Sequence, residues 1–326
     1  MNQRRLGKTG LLIPRLVLGG GYTGGVLILA DEAERETALQ RAVDAGVDWF
    51  DTAPLYGNGE SELTIGRHLK SLPRRPRVST KVGLDAEDLT DIEGAIRRSL
   101  EQSFTRLGID QVELLQLHNP LGSGGPQFPV PLSAVLGKGG IAEVLQVLKA
   151  EGLIAASGYT ALGDPEACLR VASSGMFDTA QVYYNMLNPS AAWARVPTKW
   201  RSQDFSGLLA ACRAQGMGVL GIRVFAGGAL ASMQRHGREF VLDLGSTQEQ
   251  EEARASTLFD VLGLAEDDMA ETALRFVLSR PEVSCAVIGV ADVAQLEAAL
   301  RAQEKGALGA DAQKKVHDFH CAEEVV

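Results

Sequence analysis

The stretch GVDWFDTAPLYGNGESELTIG, residues 46–66, reads as one complete strand–loop–helix unit. Val47–Phe50 lean apolar and run into Asp51. A turn bracketed by Pro54, Gly57 and Gly59 then carries Tyr56, and a helix begins near Glu60 and ends about Leu69. Outward from it the same unit recurs. Upstream, RLVLGG (15–20) is a strand followed by a helix over 31–45, with Asp31 as N-cap, Glu34 in the capping-box position and Gly46 as stop. Downstream, RVSTKVG (77–83) precedes a helix over 91–107, whose Ile92, Ile96, Leu100 and Leu107 share a face and whose end is marked by Gly108. QVELLQLH (111–118) precedes a helix over 141–151, and LIAASGY (153–159) precedes one that opens at Asp164–Pro165. DTAQVYYN (178–185) leads to a helix over 204–215, and MGVLGIRVF (217–225) to helices near 248–262 and 266–279. SCAVIGV (284–290) leads to a helix over 292–302.

Eight strands, each followed by helix, predict a parallel sheet with helical crossovers. Eight is also the count that closes a barrel of typically ~250 residues. The surplus falls into an N-terminal hairpin turning at GKTG (7–10), a Gly/Pro-rich loop at 119–140 and the segment 186–203. No stretch has linker composition. The expectation is a single (β/α)8 TIM barrel domain over 1–326, with an N-terminal β-hairpin (1–14), long loops on the C-terminal face and a C-terminal tail (303–326).

Composition narrows the partners. The chain is 45% hydrophobic and 22% charged, with formal charge −9 and pI near 5.2. That balance argues against nucleic acid or an anionic membrane, so an anionic ligand must be held by local donors. Cys168, Cys212, Cys285 and Cys321 are scattered and form no CxxC pair, which fits a reducing cytoplasm. The apolar run near the N-terminus is interrupted by Pro14 and Arg15, unlike a signal peptide, and no apolar stretch approaches the ~20 residues of a membrane span. A cytoplasmic protein acting on a small molecule, as a monomer or small homo-oligomer, is expected.

In a barrel of this kind functional groups gather at the carboxyl ends of strands. Three consecutive strands deliver Asp51, Lys81 and His118 there, with Tyr56 beside them. A phenol with a pKa near ~10 is a weak proton donor at neutral pH. An ammonium ~4 Å away at an effective dielectric of ~20 interacts with the phenolate by up to ~4 kcal/mol, enough to bring it toward the working range. Asp51 would hold Lys81, and His118 would orient a carbonyl oxygen against Tyr56. The set suits general-acid protonation of a carbonyl while another group supplies hydride, a contribution of about 10²–10⁴-fold.

GVDWFDTAPLYGNGESELTIG, STKVG, ELLQLHNP and the N-terminal RRLGKTGLLIPRLVLGGG resemble the aldo-keto reductase superfamily, in order from residue 4 to about 302. The resemblance implies a catalytic tetrad of Asp51, Tyr56, Lys81 and His118, none substituted. It implies a nicotinamide dinucleotide laid across the barrel mouth, NADP(H) being favoured by the family and NAD(H) possible. Thr160 stands where the family has a serine that holds the carboxamide, and Gln181 matches its carboxamide-binding glutamine. RVFAGG (223–228), with Arg223, Phe225 and Gly227, would wrap the pyrophosphate, and Gly20, Gly289 and Gln295 would add contacts. Tyr22, Tyr56 and His118 would meet the substrate. The chain departs from the family at Ala161, at Ile222 in place of the stacking tyrosine, at Ala291 near the 2′-phosphate, and at Ala298 and Ala299 near the adenine.

Other features are weighed against this reading. GGGYTG (19–24) matches GxGxxG, but GVLILA separates it from the helix that would have to open there, so it is no dinucleotide fingerprint. Gly20, Gly21 and Tyr22 instead shape the mouth. His317, His320 and Cys321 form a short cluster read as charged tail, with no metal expected. The loop 119–140 and segment 186–203, with Trp193 and Trp200, would line the substrate pocket or pack on the surface. The leading function is NAD(P)(H)-dependent transfer of hydride between nicotinamide and a carbonyl or alcohol carbon, with a small carbonyl or sugar substrate. The alternatives are an aldose dehydrogenase and a non-catalytic nucleotide-sensing barrel.

Overall fold

The computed structural model describes residues 3–122, 128–235, 237–241, 243 and 245–322. A hairpin of β1 (Gln3–Arg5) and β2 (Leu12–Pro14) comes first, antiparallel and separate from the main sheet. Then follow β3 (Leu16–Gly19), α1 (Val26–Leu29), α2 (Glu32–Asp44), β4 (Trp49–Asp51), α3 (Glu60–His68), β5 (Arg77–Val82), α4 (Ile92–Leu107) and β6 (Val112–Leu117). The second half runs α5 (Leu132–Leu136), α6 (Ile141–Ala150), β7 (Ile154–Ala161), α7 (Pro165–Ser174), β8 (Thr179–Tyr183), α8 (Leu208–Ala214), β9 (Gly218–Ile222), α9 (Gln248–Leu262), α10 (Met269–Leu278), β10 (Cys285–Ile288), α11 (Val293–Glu304) and α12 (Ala310–Ala322). The strands β3 to β10 pair in parallel and close, β10 meeting β3, into an eight-stranded barrel. This is the (β/α)8 TIM barrel with N-terminal hairpin that the alternation predicts.

Each helix forms for local reasons. Asp31, Asp91, Asp164 and Asp292 cap α2, α4, α7 and α11 by accepting from backbone N–H groups of the first turn. Gly108, Gly175 and Gly263 end α4, α7 and α9 in the left-handed conformation. The buried stripes of these helices and the outward strand residues form the large core between sheet and helices.

A second core fills the barrel's lower interior: Val17, Trp49, Leu114, Ala156, Leu220 and Cys285, closed from beneath by Leu6 and Ile13 of the hairpin segment. The hairpin is fastened there by the Lys8 N–H, which donates to the Gly216 carbonyl at 2.7 Å, and by the Arg4 guanidinium, which donates to the Val283 carbonyl at 3.1 Å. Arg15, buried, donates to the Val283 and Ser284 carbonyls at 2.9 and 3.2 Å and to that of Leu278 at the end of α10.

Four local expectations are corrected. Residues 26–29 of GVLILA, read only as separating GGGYTG from the helix over 31–45, themselves form the short helix α1, because Val26 and Leu27 bury one face. The Glu34 carboxylate accepts from the Val293 N–H at 2.8 Å, so α2 has its Asp31 cap but Glu34 ties it to α11 instead of closing a capping box. The seventh barrel strand, β9, ends at Ile222, four residues after it begins and short of Phe225, because Arg223 and Ala226 adopt left-handed φ of 58° and 48° and turn the chain. The presumed tail is largely helix α12, whose Val316, Phe319 and His320 are buried on one face while charged residues cover the other.

Candidate active site

Side chains alternate along a strand, so every second residue of each barrel strand faces the axis. Two positions above the apolar inner layer stand Asp51 (from Trp49), Gln116 (from Leu114), Gly158 (from Ala156), Ile222 (from Leu220) and Val287 (from Cys285). Lys81 joins them through the parallel register that pairs Asp51 with Ser79 and Lys81 with Gln116. Gly158 is required: a Cβ there would stand 2.3 Å from Thr179 Oγ1 and 2.9 Å from Gln116 Cγ, in the space the Gln116 side chain crosses.

Asp51 is the hub of this polar layer. Lys81 Nζ donates to its Oδ2 at 2.6 Å and to the Thr52 carbonyl at 2.9 Å. Ser79 Oγ, Gln181 Nε2 and Gln116 Nε2 donate to its Oδ1 at 2.8, 2.9 and 3.1 Å. Both ions are buried. Burial alone would lower the Lys81 pKa, but Asp51 and Tyr56 together raise it above the ordinary lysine value. Lys81 Nζ lies 4.7 Å from the centre of the Tyr56 ring, and the Tyr56 and His118 rings meet edge-on with centroids 5.5 Å apart. Burial, then the Lys81 charge, pushes the His118 pKa down to about 3. His118 is therefore neutral at physiological pH: a hydrogen-bond donor at one ring nitrogen, not a stored proton.

These groups open on a cavity of about 670 Å³ at the carboxyl ends of the strands, lined by Asp51, Tyr56, His118, Thr160, Gln181, Arg223 and Gly289 among others. A second cavity of about 540 Å³ adjoins it and shares Thr23, Gly24, Phe225, Gly227, Arg238 and Gly289 as lining. Each falls in the range of a small-molecule pocket, and the pair makes an elongated site. Ala291, Gln295, Ala298 and Ala299 line the second cavity.

The structure brings together most of the residues singled out in the sequence. Asp51, Tyr56, His118 and Tyr22 line the first cavity, with Lys81 directly beneath. Thr160, Gln181, Arg223, Phe225, Gly227 and Gly289 line it too, and Gln295 stands in the second cavity with its Oε1 accepting from the Ala291 N–H at 2.9 Å. Gly20 lies behind the wall: its N–H donates to the Asp51 carbonyl at 2.8 Å, and a Cβ on it would strike Ser61 Oγ at 2.1 Å. Gly21 and Gly24 line the cavity instead.

Trp193 and Trp200 do not line either cavity. They pack against each other with centroids 5.4 Å apart and against His320 of α12. Gln203 represents the segment 186–203 in the first cavity, and Pro120 represents the described part of the loop 119–140, whose residues 123–127 lie outside the described residues. His320 Nε2 donates to the Met186 carbonyl at 2.8 Å, and burial pushes its pKa down to about 4. It is scaffold.

Three contributors were not anticipated. Ser79 and Gln116, two residues before Lys81 and His118 on the same strand face, orient Asp51; that shared parity was the available signal. Arg238 lines both cavities and donates to the Gly24 carbonyl at 2.9 Å, from an irregular segment that no strand pattern marks.

Comparison with known proteins agrees with this geometry. The model of the aldo/keto reductase family matches residues 15–319. D-threo-aldose 1-dehydrogenase from a Pseudomonas species is 27% identical over 316 residues, covering 88% of each chain. Pyridoxal 4-dehydrogenase from Microbacterium luteolum is 27% identical over 326 residues, covering 90% of each. Among solved structures, an aldo-keto reductase from Bacillus halodurans in its holo form shares the fold with a TM-score of 0.74 at 21% identity, covering 98% of this chain and 96% of that one. The parallel barrel, the buried Lys81–Asp51 pair under Tyr56 and His118, and the family match over nearly the whole length lead to one assignment: the chain belongs to the aldo-keto reductases, oxidoreductases of carbonyl and alcohol groups.

Proposed function

We propose that the cavity transfers hydride between a nicotinamide dinucleotide and a carbonyl or alcohol carbon, with Tyr56 exchanging the proton at oxygen. The observation that carries this is the stack of Asp51, Lys81 and Tyr56, with the ammonium 2.6 Å from the carboxylate and 4.7 Å from the phenol ring, and His118 across the opening. The Lys81 ammonium, held by Asp51, faces the Tyr56 ring, while neutral His118 donates an N–H to the substrate oxygen and fixes its position. A bound reduced nicotinamide supplies the hydride. Proton and hydride together convert the carbonyl to the alcohol, and the reverse direction uses Tyr56 as base.

The residues fit such a cofactor. Thr160 Oγ1 is buried without a hydrogen-bond partner among the described residues, and Gln181, whose Nε2 donates to Asp51, lines the same cavity. Together they would hold the carboxamide. The backbone at Phe225 and Gly227, with Arg238, would take the pyrophosphate where the cavities join, and the second cavity, at Gln295, the adenosine half. NADP(H) follows the family; Ala291, Ala298 and Ala299 remove contacts of the adenosine half and leave NAD(H) in contention.

Tyr56→Phe is the test. Aldehyde reduction with NADPH or NADH, followed by absorbance, falls 10²–10⁴-fold while dinucleotide affinity by fluorescence quenching is retained. Undiminished turnover in that variant removes Tyr56 from the role. A second reading, oxidation of an aldose or a related alcohol, is favoured by the names of the two relatives that match over most of the chain. It predicts turnover of an aldose panel with NAD⁺ or NADP⁺ at rates exceeding those of aldehyde reduction.

A further inference from the structure

Among the described residues the chamber holding Tyr56 and His118 is lined by two arginines, Arg223 and Arg238. Their places differ. Arg238 lines both cavities and stands at their junction, with one hydrogen bond already made to the Gly24 carbonyl. Arg223 lines only the chamber with Tyr56. Its backbone is left-handed, with φ of 58°, uncommon for a residue with a side chain. That turn is fixed by two donors to its carbonyl, Asn185 Nδ2 at 2.8 Å and the Ala226 N–H at 2.9 Å. A strained residue held this firmly is a pointer to function.

The guanidinium is clamped between aromatic rings, 5.3 Å from the centre of Tyr183 and 6.0 Å from that of Phe240. Rings hold a cation but satisfy few of its five N–H donors. Among the described residues Arg223 donates no side-chain hydrogen bond and has no carboxylate within ion-pair distance; Tyr183, then Asp243 and Tyr56, act on its charge only through space. Removal from water lowers its pKa, a desolvation that an anionic partner offsets. With a net charge of −9 the protein as a whole repels anions, so a local cation decides whether one enters. Around it Leu162, Ile222, Phe240 and Val241 give the chamber an apolar wall.

We propose that Arg223 selects the substrate: its fork of N–H groups binds a carboxylate carried on an apolar body whose carbonyl or alcohol carbon reaches Tyr56. The proposal rests on the hydride-transfer reading above and adds the substrate class, carboxylate-bearing aldehydes, ketones or their alcohols. Arginine suits this because its planar donors match a carboxylate in bidentate fashion. A dinucleotide pyrophosphate would meet Arg238 and the Phe225–Gly228 backbone at the junction.

The test compares 4-carboxybenzaldehyde with methyl 4-formylbenzoate, a neutral analogue of nearly the same shape, using the whole protein with NADPH and NADH. Wild type is expected to prefer the acid at least tenfold in kcat/KM. Arg223→Gln is expected to cut that preference tenfold or more, through KM of the acid, and Arg223→Lys to restore part of it. Dinucleotide Kd is measured for each variant by fluorescence quenching. No preference in wild type, or an equal loss on both substrates, overturns the proposal. So does a rise in dinucleotide Kd matching the loss on the acid, which assigns Arg223 to the pyrophosphate. Failure of the enzyme reading looks different, as no turnover of either aldehyde. The proposal is then decided by binding alone: 4-carboxybenzyl alcohol raising the Tm of wild type but not of Arg223→Gln supports it, and equal shifts overturn it.

Discussion

Five donated hydrogen bonds organise Asp51 and Lys81: four onto the carboxylate and one more from the ammonium to the Thr52 carbonyl. A buried ion pair so satisfied is costly to break from one side, because the surviving charge has no water to turn to. Asp51→Asn should therefore lower unfolding free energy by about 3–5 kcal/mol. The double variant Asp51→Leu/Lys81→Met should lose less than the sum of its singles, as read from urea unfolding. His118 gives a pH prediction. With its pKa held near 3, activity should show no acid limb near the ordinary histidine value of 6.5; a limb there that vanishes in His118→Gln would show it titrating. At this scale the chemistry-bearing residues were readable because Asp51, Lys81 and His118 stand out among apolar strand residues. Ser79 and Gln116 were not, since a lone serine or glutamine in a strand carries no sign of what it touches.

At the scale of elements, strands and capped helices were legible because their signals are local: alternation, Asp at the start, glycine at the end. What escaped depends on tertiary partners. Helix α12 reads as charged tail until Trp193 and Trp200 supply a surface for His320. The turn after β9 reads as more strand until Arg223 and Ala226 are seen left-handed. The docking of α12 has a measurable signature. His320 is held neutral by burial with a pKa near 4, against 6.5 when ordinarily solvated. The unfolded chain takes up that proton as pH falls below 6.5 while the folded chain does not, so folding stability is lost on acidification across that interval. The loss is about 1.4 kcal/mol per pH unit for each such histidine. Replacing His320 with Asn should reduce the slope of unfolding free energy against pH between 6 and 5 by about that amount, and an unchanged slope would place the ring in water.

For the whole molecule, the two ends of the barrel divide labour. The lower end is apolar, stopped by Leu6 and Ile13, with Leu6 so close to β9 that a Cβ on Gly218 would lie 2.5 Å from Leu6 Cδ1. Leu6→Ala should cost about 2–5 kcal/mol in stability while leaving kcat/KM of the folded enzyme within a factor of two, since the cavity it makes is remote from the mouth. Equal damage to rate and stability would show that the ends are coupled. Eight-fold closure was legible from the count of units, whereas the plug was not, because a short hairpin at the start of a chain has no pattern that says which opening it seals.

A vessel stopped at its base is approached, among the described residues, from its mouth. Under the reading proposed above, two guests would share that approach, and one lodged against the polar floor would have to enter before one seated nearer the rim.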